Sequence, residues 1–392
     1  MPAQNTRTPR PPEARRLPPL LALIRERIQD AGPLSIATYM DLALNHPDWG
    51  YYHTKDPFGV AGDFVTAPEI SQVFGELVGL WLAAAWQGAG HPCPFRLVEL
   101  GPGRGQLMAD LIRATAKVPG FLEAADIHLV ESSRRLRDMQ RKKLPTLNIT
   151  WHGTFADVPR GPTFLIANEF FDALPIHQLI RTETGFAERL LTDDGNELMF
   201  TEGEAPADVL DMISDLPPGN PGEITEISPA RNHLAHEIGE RISLEGGIAL
   251  IIDYGAWVDH ATGDTLQAVR NHRPVDPLEA PGEIDLTSQI DFKRLGLAAV
   301  DAGSAVFGPV PQGTFLRTLG IEMRMAALLE RADQQQSRSL REALFRLTDA
   351  SAMGEAFKVM ALGMPDQPAP PGFGTPSLQG RLSGPQVGSP SP

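Results

Sequence analysis

Apolar positions recur every three or four residues over 20–31 and again over 35–44, and each run predicts a helix that buries one face. The string His46-Pro47-Asp48-Trp49-Gly50 breaks that rhythm, so a loop is expected to run on through 59–69 and to end at Ser71. Beyond it Val73, Leu77, Leu80, Trp81 and Ala84 stand at helical spacing. From 95 the pattern changes to short apolar runs that alternate with helical stretches. Strands are expected at 95–100, 126–130, 147–151 and 163–167, with helices at 107–116 and 132–143 between the first three. Such alternation predicts a parallel sheet with helices on its faces.

The segment 178–201 reads differently, as strands broken by turn signals at Gly185 and Asp194-Gly195, which suggests an antiparallel insertion. A helix at 228–242 follows. The most apolar run, 247–253, is expected to be a fifth, central strand. Helical patterns at 290–301 and 312–332 and strands at 305–310 and 357–362 would close the sheet with an antiparallel pair. The architecture expected is a class I methyltransferase-like α/β fold: a seven-stranded, mostly parallel sheet with an N-terminal helical region and an inserted, smaller α+β cap. Along the chain this divides into a flexible tail at 1–19, a helical region with a covering loop at 20–90, and the first part of the core at 91–176. The cap occupies 177–246 and the second part of the core, with a helical insertion, 247–364. The final stretch 365–392, built mainly from Pro, Gly, Ser and Gln, is expected to be disordered.

Composition narrows the function. No run approaches the roughly 20 apolar residues of a membrane helix, so stable membrane insertion is not expected. The first 17 residues, rich in Arg and Pro, read as a weak organelle-import leader or a plain tail, and no secretory segment follows. The net charge of −15 and the lack of a basic stripe with interleaved aromatics argue against a nucleic-acid substrate. They suit a cationic or neutral partner. The single cysteine, Cys93, sits between two prolines and fits a reducing compartment. His233 and His236 lie three apart on a predicted helix, but without a third ligand they read as a solvated face, and no metal is expected.

The candidate chemistry begins at Val98-Glu99-Leu100-Gly101-Pro102-Gly103-Arg104-Gly105, an acid at a strand end followed by a glycine turn into a helix. Glycines permit close backbone approach, and a helix N-terminus offers free N–H groups to a ligand. A dinucleotide loop would require a small residue at 106, where Gln106 stands. The next strand ends in Glu131, a carboxylate able to accept both ribose hydroxyls of an adenosine. Together these features point to S-adenosylmethionine, held by Glu99, Gly101, Gly103, Gly105 and Glu131.

The strings Gly62 to Ser71 (GDFVTAPEIS), Glu99 to Gly105, Ala167 to Pro175 (ANEFFDALP) and Asp253-Tyr254-Gly255 resemble those of the MidA-like methyltransferases, a family that includes mitochondrial factors of respiratory complex I assembly. The resemblance spans 36–362. It implies symmetric dimethylation of an arginine on the complex I subunit that contacts the quinone site, in the bacterial cytoplasm or, in a eukaryote, the mitochondrial matrix, with the bacterial setting preferred. Gln289 stands where a family histidine is expected.

Asn168, Glu169 and Asp172 are the catalytic candidates, since carboxylates following the fourth strand could hold a guanidinium in plane and draw its charge from the attacking nitrogen. Gly62, Asp63 and Thr66 are expected to fold over the cofactor. Glu69, Phe171, Asp253 and Tyr254 are expected to border the substrate. The rival readings are a non-catalytic, cofactor-binding assembly chaperone and a methyltransferase for small molecules.

Overall fold

The computed structural model describes residues 17–55, 65–145, 148–214, 216–258 and 263–379. Helix α1 (Pro19–Ala31) buries Leu20, Ile24 and Ile28, and α2 (Ile36–Asn45) starts where the Ser35 side chain accepts the Thr38 N–H at 3.1 Å. Helix α3 (Gln72–Gly88) forms after Ser71, whose side chain accepts the Val73 N–H. It is covered on nearly every side, and Leu80, expected on its inner face, is 44% exposed. The reason is that both faces of α3 meet protein, so no single apolar stripe marks the buried side.

The core then runs β1 (Phe95–Leu100), α4 (Gln106–Thr115), β2 (Ala125–Val130), α5 (Arg134–Lys143), β3 (Ile149–His152) and β4 (Thr163–Asn168). The insertion supplies β5 (His177–Arg181), β6 (Phe186–Asp193), β7 (Leu198–Glu204) and β8 (Ile224–Ile227), paired antiparallel in the order β7-β6-β5-β8. Next come α6 (Pro229–Glu245), β9 (Gly247–Ala256), α7 (Phe292–Asp301) and β10 (Ala305–Pro311). After them follow α8 (Gln312–Thr318), α9 (Ile321–Leu329), α10 (Gln334–Thr348), β11 (Phe357–Gly363) and β12 (Leu378–Gln379).

The main sheet has the order β3-β2-β1-β4-β9-β11-β10-β12. Strands β1 to β4 and β9 are parallel, and β11 lies antiparallel between β9 and β10. This is the expected α/β sheet with its reversed closing pair. One face packs on α3, α4 and α8 to α10, the other on α6 and α7. The N-terminal helices share a separate core with Leu191 and Leu198 of the insertion and with Leu266, Ile284 and Leu286. A two-residue strand, Leu34–Ser35, pairs with β6 and stitches that lobe together.

Three expectations need correcting. Helix α6, placed in the cap by its sequence neighbours, buries Ala235, Ile238 and Ile242 against the main sheet, because that stripe matches the exposed face of β9 and α7. The helical run 312–332 breaks at Gly320, which takes φ +87°, and α10 follows it, begun by a reciprocal cap between Asp333 and Gln336. Residues 365–379 do not form a disordered tail. Trp81 Nε1 donates to Pro371 O at 2.8 Å, Phe373 packs edge-on against Trp81, and Leu378 pairs with Val306 in the sheet. A few apolar anchors suffice there because proline leaves the unfolded chain little freedom to lose.

Gly75 and Gly79 let α3 lie directly on α4, for a Cβ at Gly79 would stand 2.8 Å from Leu111 Cα. Gly79→Ala is therefore expected to lower stability by about 1–3 kcal/mol in chemical denaturation. Gly88→Ala on the same helix, with nothing within 4 Å of the added carbon, should leave it nearly unchanged. Equal behaviour of the two variants would show that the α3–α4 contact is not the constraint.

Candidate active site

Strand β1 pairs with β2 on one side and β4 on the other, so the chain reverses its direction of progress across the sheet at the C-terminal end of β1. Ligands of open α/β sheets lie at such a switch point. Here it opens into a cleft of about 450 Å³. Glu99, Gly101, Gly103, Glu131, Asn168 and Glu169 line it from the sheet, and Thr66 and Glu69 from the chain preceding α3. The turn at 101–105 holds Gly101 and Gly103 at φ +60° and +53°, a region L side chains disfavour. Gly105, at φ +78°, caps α4 and shapes the turn without lining the cleft. Gly62 and Asp63 lie outside the described residues.

The two acids at the ends of β1 and β2 are held near neutrality. Burial, reinforced by the neighbouring Glu131 charge, pushes the Glu99 carboxyl up to about 8, and its Oε2 is buried with no hydrogen-bond partner among the described residues. Burial likewise pushes Glu131 to about 7, although Ser133 N donates to Oε1 at 2.9 Å and Gln140 Nε2 to Oε2 at 3.2 Å. Gln140 is the residue the sequence reading passed over. From α5 its Nε2 also donates to Gly103 O at 2.8 Å, and its Oε1 accepts Trp151 Nε1 at 2.8 Å. One buried amide thus ties the glycine turn to the acid of β2. The available signal was its place four residues after Leu136, on the apolar side of a highly charged helix.

At the end of β4, Glu169 adopts φ +52°, a conformation that costs a non-glycine residue about 1–3 kcal/mol. Its N–H donates to Ile252 O at 2.8 Å, and its Oε1 accepts Ala67 N at 2.8 Å and Asn168 Nδ2 at 3.1 Å. Burial pushes its carboxyl up to about 7. Asn168 turns its other atom, Oδ1, into the same buried space without a partner among the described residues.

The following turn is fixed from behind. Asp253 Oδ2 accepts the N–H groups of Phe170, Phe171 and Asp172 at 3.2, 3.0 and 3.2 Å. The guanidinium of Arg231 donates to the carbonyls of Phe171, Asp172, Ser288 and Gln289 and to the Ser288 hydroxyl. Neither side chain reaches the cleft.

These contacts correct the substrate-facing expectations. Asp253 and Phe171 are fully buried, one saturated by backbone donors and the other packed under the sheet edge. Asp172 lies in the layer behind the cleft, where burial raises its carboxyl to about 6 while Arg231 opposes the shift. The Tyr254 hydroxyl donates to Thr287 Oγ1 and accepts from Gln267 Nε2, away from the cleft. Gln289 is exposed and borders a separate pocket with Asp291 and Arg294.

Comparison with known proteins shows the family and the fold. Residues 77–310 match the family described as S-adenosyl-L-methionine-dependent methyltransferase. The chain is 36% identical over 383 residues to the bovine mitochondrial protein arginine methyltransferase NDUFAF7, covering 90% of this chain and 85% of that one. The human protein of the same name is 35% identical over 374 residues, with 88% and 83% covered. Among solved structures, a Burkholderia thailandensis protein bound to S-adenosyl-homocysteine is 28% identical, with a TM-score of 0.79 and 90% and 94% of the two chains covered. The cleft suits S-adenosylmethionine on its own chemistry: Glu99 Oε2 and Asn168 Oδ1 are buried acceptors in need of donors, and the ligand brings an ammonium and two ribose hydroxyls.

Two outcomes follow. Gln140→Leu is expected to weaken S-adenosylmethionine binding by about 1–2 kcal/mol, because it frees Glu131 and the Gly103 carbonyl from their common partner. Calorimetric titration of a folded variant with unchanged affinity would remove Gln140 from the site. The second outcome concerns pH. Glu99 titrates near 8 when folded against about 4.3 when unfolded, so the folded state holds the extra proton between those values and stability falls as pH rises through them. Glu99→Gln stays neutral throughout. Its stability relative to the original protein, measured without ligand, should therefore improve from about pH 5.5 to about pH 8.5, and a constant difference would show that Glu99 does not titrate there.

Proposed function

The chain belongs to the S-adenosyl-L-methionine-dependent methyltransferase family, and from that premise we propose that it methylates arginine in a protein. The observation that carries the reading is the charge of the cleft. Among the described lining residues Asp41, Glu69, Glu99, Glu131 and Glu169 are acids, while Arg104 alone is a strong base. Such a cavity suits two cations at once, the methyl donor and a guanidinium. The relatives named as arginine methyltransferases support the same target.

When bound, S-adenosylmethionine supplies a methyl group on a cationic sulfur. The protein's part is alignment and proton handling. Gly101, Gly103, Glu99 and Glu131 would hold the donor, with Thr66 over it. Glu69, Glu169 and Asn168 would receive the guanidinium. Glu169 Oε1 is committed to Ala67 and Asn168, which leaves Oε2 to bond the planar cation. As a guanidinium nitrogen gains a methyl it must shed one proton, and a carboxylate titrating near 7 can take it at Oε2. Asp172 would act from behind, through its charge on Glu169.

The specific target we favour is the respiratory complex I subunit that contacts the quinone site, with symmetric dimethylarginine as product. The setting is the cytoplasm in a bacterium or the mitochondrial matrix in a eukaryote, the compartment in the relatives' names being mitochondrial. No helix among the described residues is long and apolar enough to cross a membrane.

Glu169→Gln tests the assignment. The amide keeps an oxygen for Ala67 N yet loses the charge that orients the cation, so single-turnover methyl transfer should fall at least about a hundredfold while ligand affinity stays nearly intact. Transfer at the normal rate would pass the guanidinium to Glu69. Mass spectrometry of complex I from cells with and without the protein identifies the modified arginine.

A further inference from the structure

Helix α5 carries six basic residues and one acid between Arg134 and Lys143, in a chain of net charge −15. Three of those bases make contacts within the chain. Arg137 donates to the carbonyls of Glu131 and His152, and Arg141 lies over the Trp151 ring and pairs with Asp138 at 2.8 Å. Arg135 reaches the Thr54 carbonyl. Arg134, Lys142 and Lys143 remain exposed.

The bases at the start of the helix work against it, whereas Lys142, in its last turn, complements the helix dipole. Arg134 and Arg135 occupy its first turn, which contains no acid, and cations there oppose the helix dipole. A residue choice that contradicts local stability signals another demand on the position. The demand has a place in the fold: Arg134, Arg135 and Lys142, with His53 held toward its neutral form by burial, wall a groove of about 920 Å³ whose acids are Asp48 and the already paired Asp138. Ser132 lines both this groove and the ligand cleft, so the two adjoin at that residue.

Resting on the reading of a protein substrate, we propose that this groove docks an acidic stretch of the substrate flanking the target arginine. The cleft is negative and takes the cationic side chain; the groove is positive and takes the anionic flank. A substrate carrying both signs is held in one direction. The described groove residues include no Phe, Tyr or Trp, so stacking of bases has no platform, which favours polypeptide over single-stranded nucleic acid.

The experiment uses the full chain and has two arms. In the first, fluorescence anisotropy follows binding of labelled decaglutamate and labelled decathymidylate. Decaglutamate should bind, weaken as salt is raised, and weaken at least about fivefold in R134E/K142E, less in R134Q/K142Q. In the second, methyl transfer is measured on arginine peptides with acidic or neutral flanks. The acidic flank should lower KM at least about fivefold with kcat unchanged, and R134E/K142E should abolish that advantage while leaving the affinity for S-adenosylmethionine and the thermal midpoint as before. An advantage that is absent, or that survives the double substitution, overturns the docking proposal with arginine methylation intact. If no arginine peptide is methylated, the functional reading fails and the decaglutamate arm alone decides: loss of its binding in R134E/K142E upholds the groove, and unchanged or absent binding overturns it. Tighter, Arg134-dependent binding of decathymidylate also overturns it, in favour of a nucleic-acid surface.

Discussion

The site hangs on one buried arrangement, the carboxylate of Asp253 facing three successive N–H groups of the turn after β4, with Arg231 gripping the carbonyls of that same turn. Each group satisfies what the other leaves open. The turn cannot continue the sheet, because Glu169 is wound into a left-handed conformation, and its amides would otherwise be buried without acceptors. Asp253 accepts those amides. Arg231, fully buried itself, finds only neutral oxygens within hydrogen-bond reach, so its charge is balanced at longer range by Asp253 and Asp172. Removing Asp253 would leave three buried amides without their acceptor and Arg231 with Asp172 as the stronger of its remaining counter-charges.

What this arrangement achieves is a fixed height and direction for Glu169. From there Glu169 reaches the chain before α3, where it accepts the first amide of the Ala67–Ile70 turn. That bond ties the sheet to the segment carrying Thr66 and Glu69, and so the floor of the cleft to its wall. The strain in the backbone at 169 is compensated by contacts outside the cleft, which leaves the side chain free to be specified by chemistry rather than by packing.

The sheet was legible because parallel strands buried on both faces are short apolar runs with helices between them, and each of 95–100, 163–168 and 247–253 satisfies that rule. The residues lining the cleft were legible where polar groups stand at strand ends: Glu99, Glu131, Asn168 and Glu169 all reach it. Asp253 misled for the same reason, since a carboxylate ending a strand looks alike whether it faces ligand or backbone amides. The difference is tertiary. Arg231 was invisible for the converse reason, since it sits on a helix among other polar residues, and Gln140 left only its spacing from Leu136; in both, the crossing of elements distant in sequence shows what the side chain bonds. Residues 365–379 were misread on composition, which counts prolines but not the one aromatic ring that Trp81 and Phe315 receive.

The raised carboxyls give the cleft a further property. Glu99, Glu131 and Glu169 all stand closer to neutrality than free carboxyls, because each is buried with too few donors to hold its charge. In the absence of ligand, protons fill part of that need. A cation or a set of hydroxyls entering the cleft supplies the missing donors and so competes with the proton, which makes binding and deprotonation one linked event. The consequence reaches the chemistry. Under the proposed arginine methylation, a carboxylate that loses its proton only as the guanidinium arrives would be charged when charge is needed to orient the target, and its basicity would still lie near the ambient pH when the methylated nitrogen must release a proton. Burial alone would give three inert acids; burial beside unfilled acceptors, with the turn held by Asp253 and Arg231, gives acids whose charge is set by what they bind.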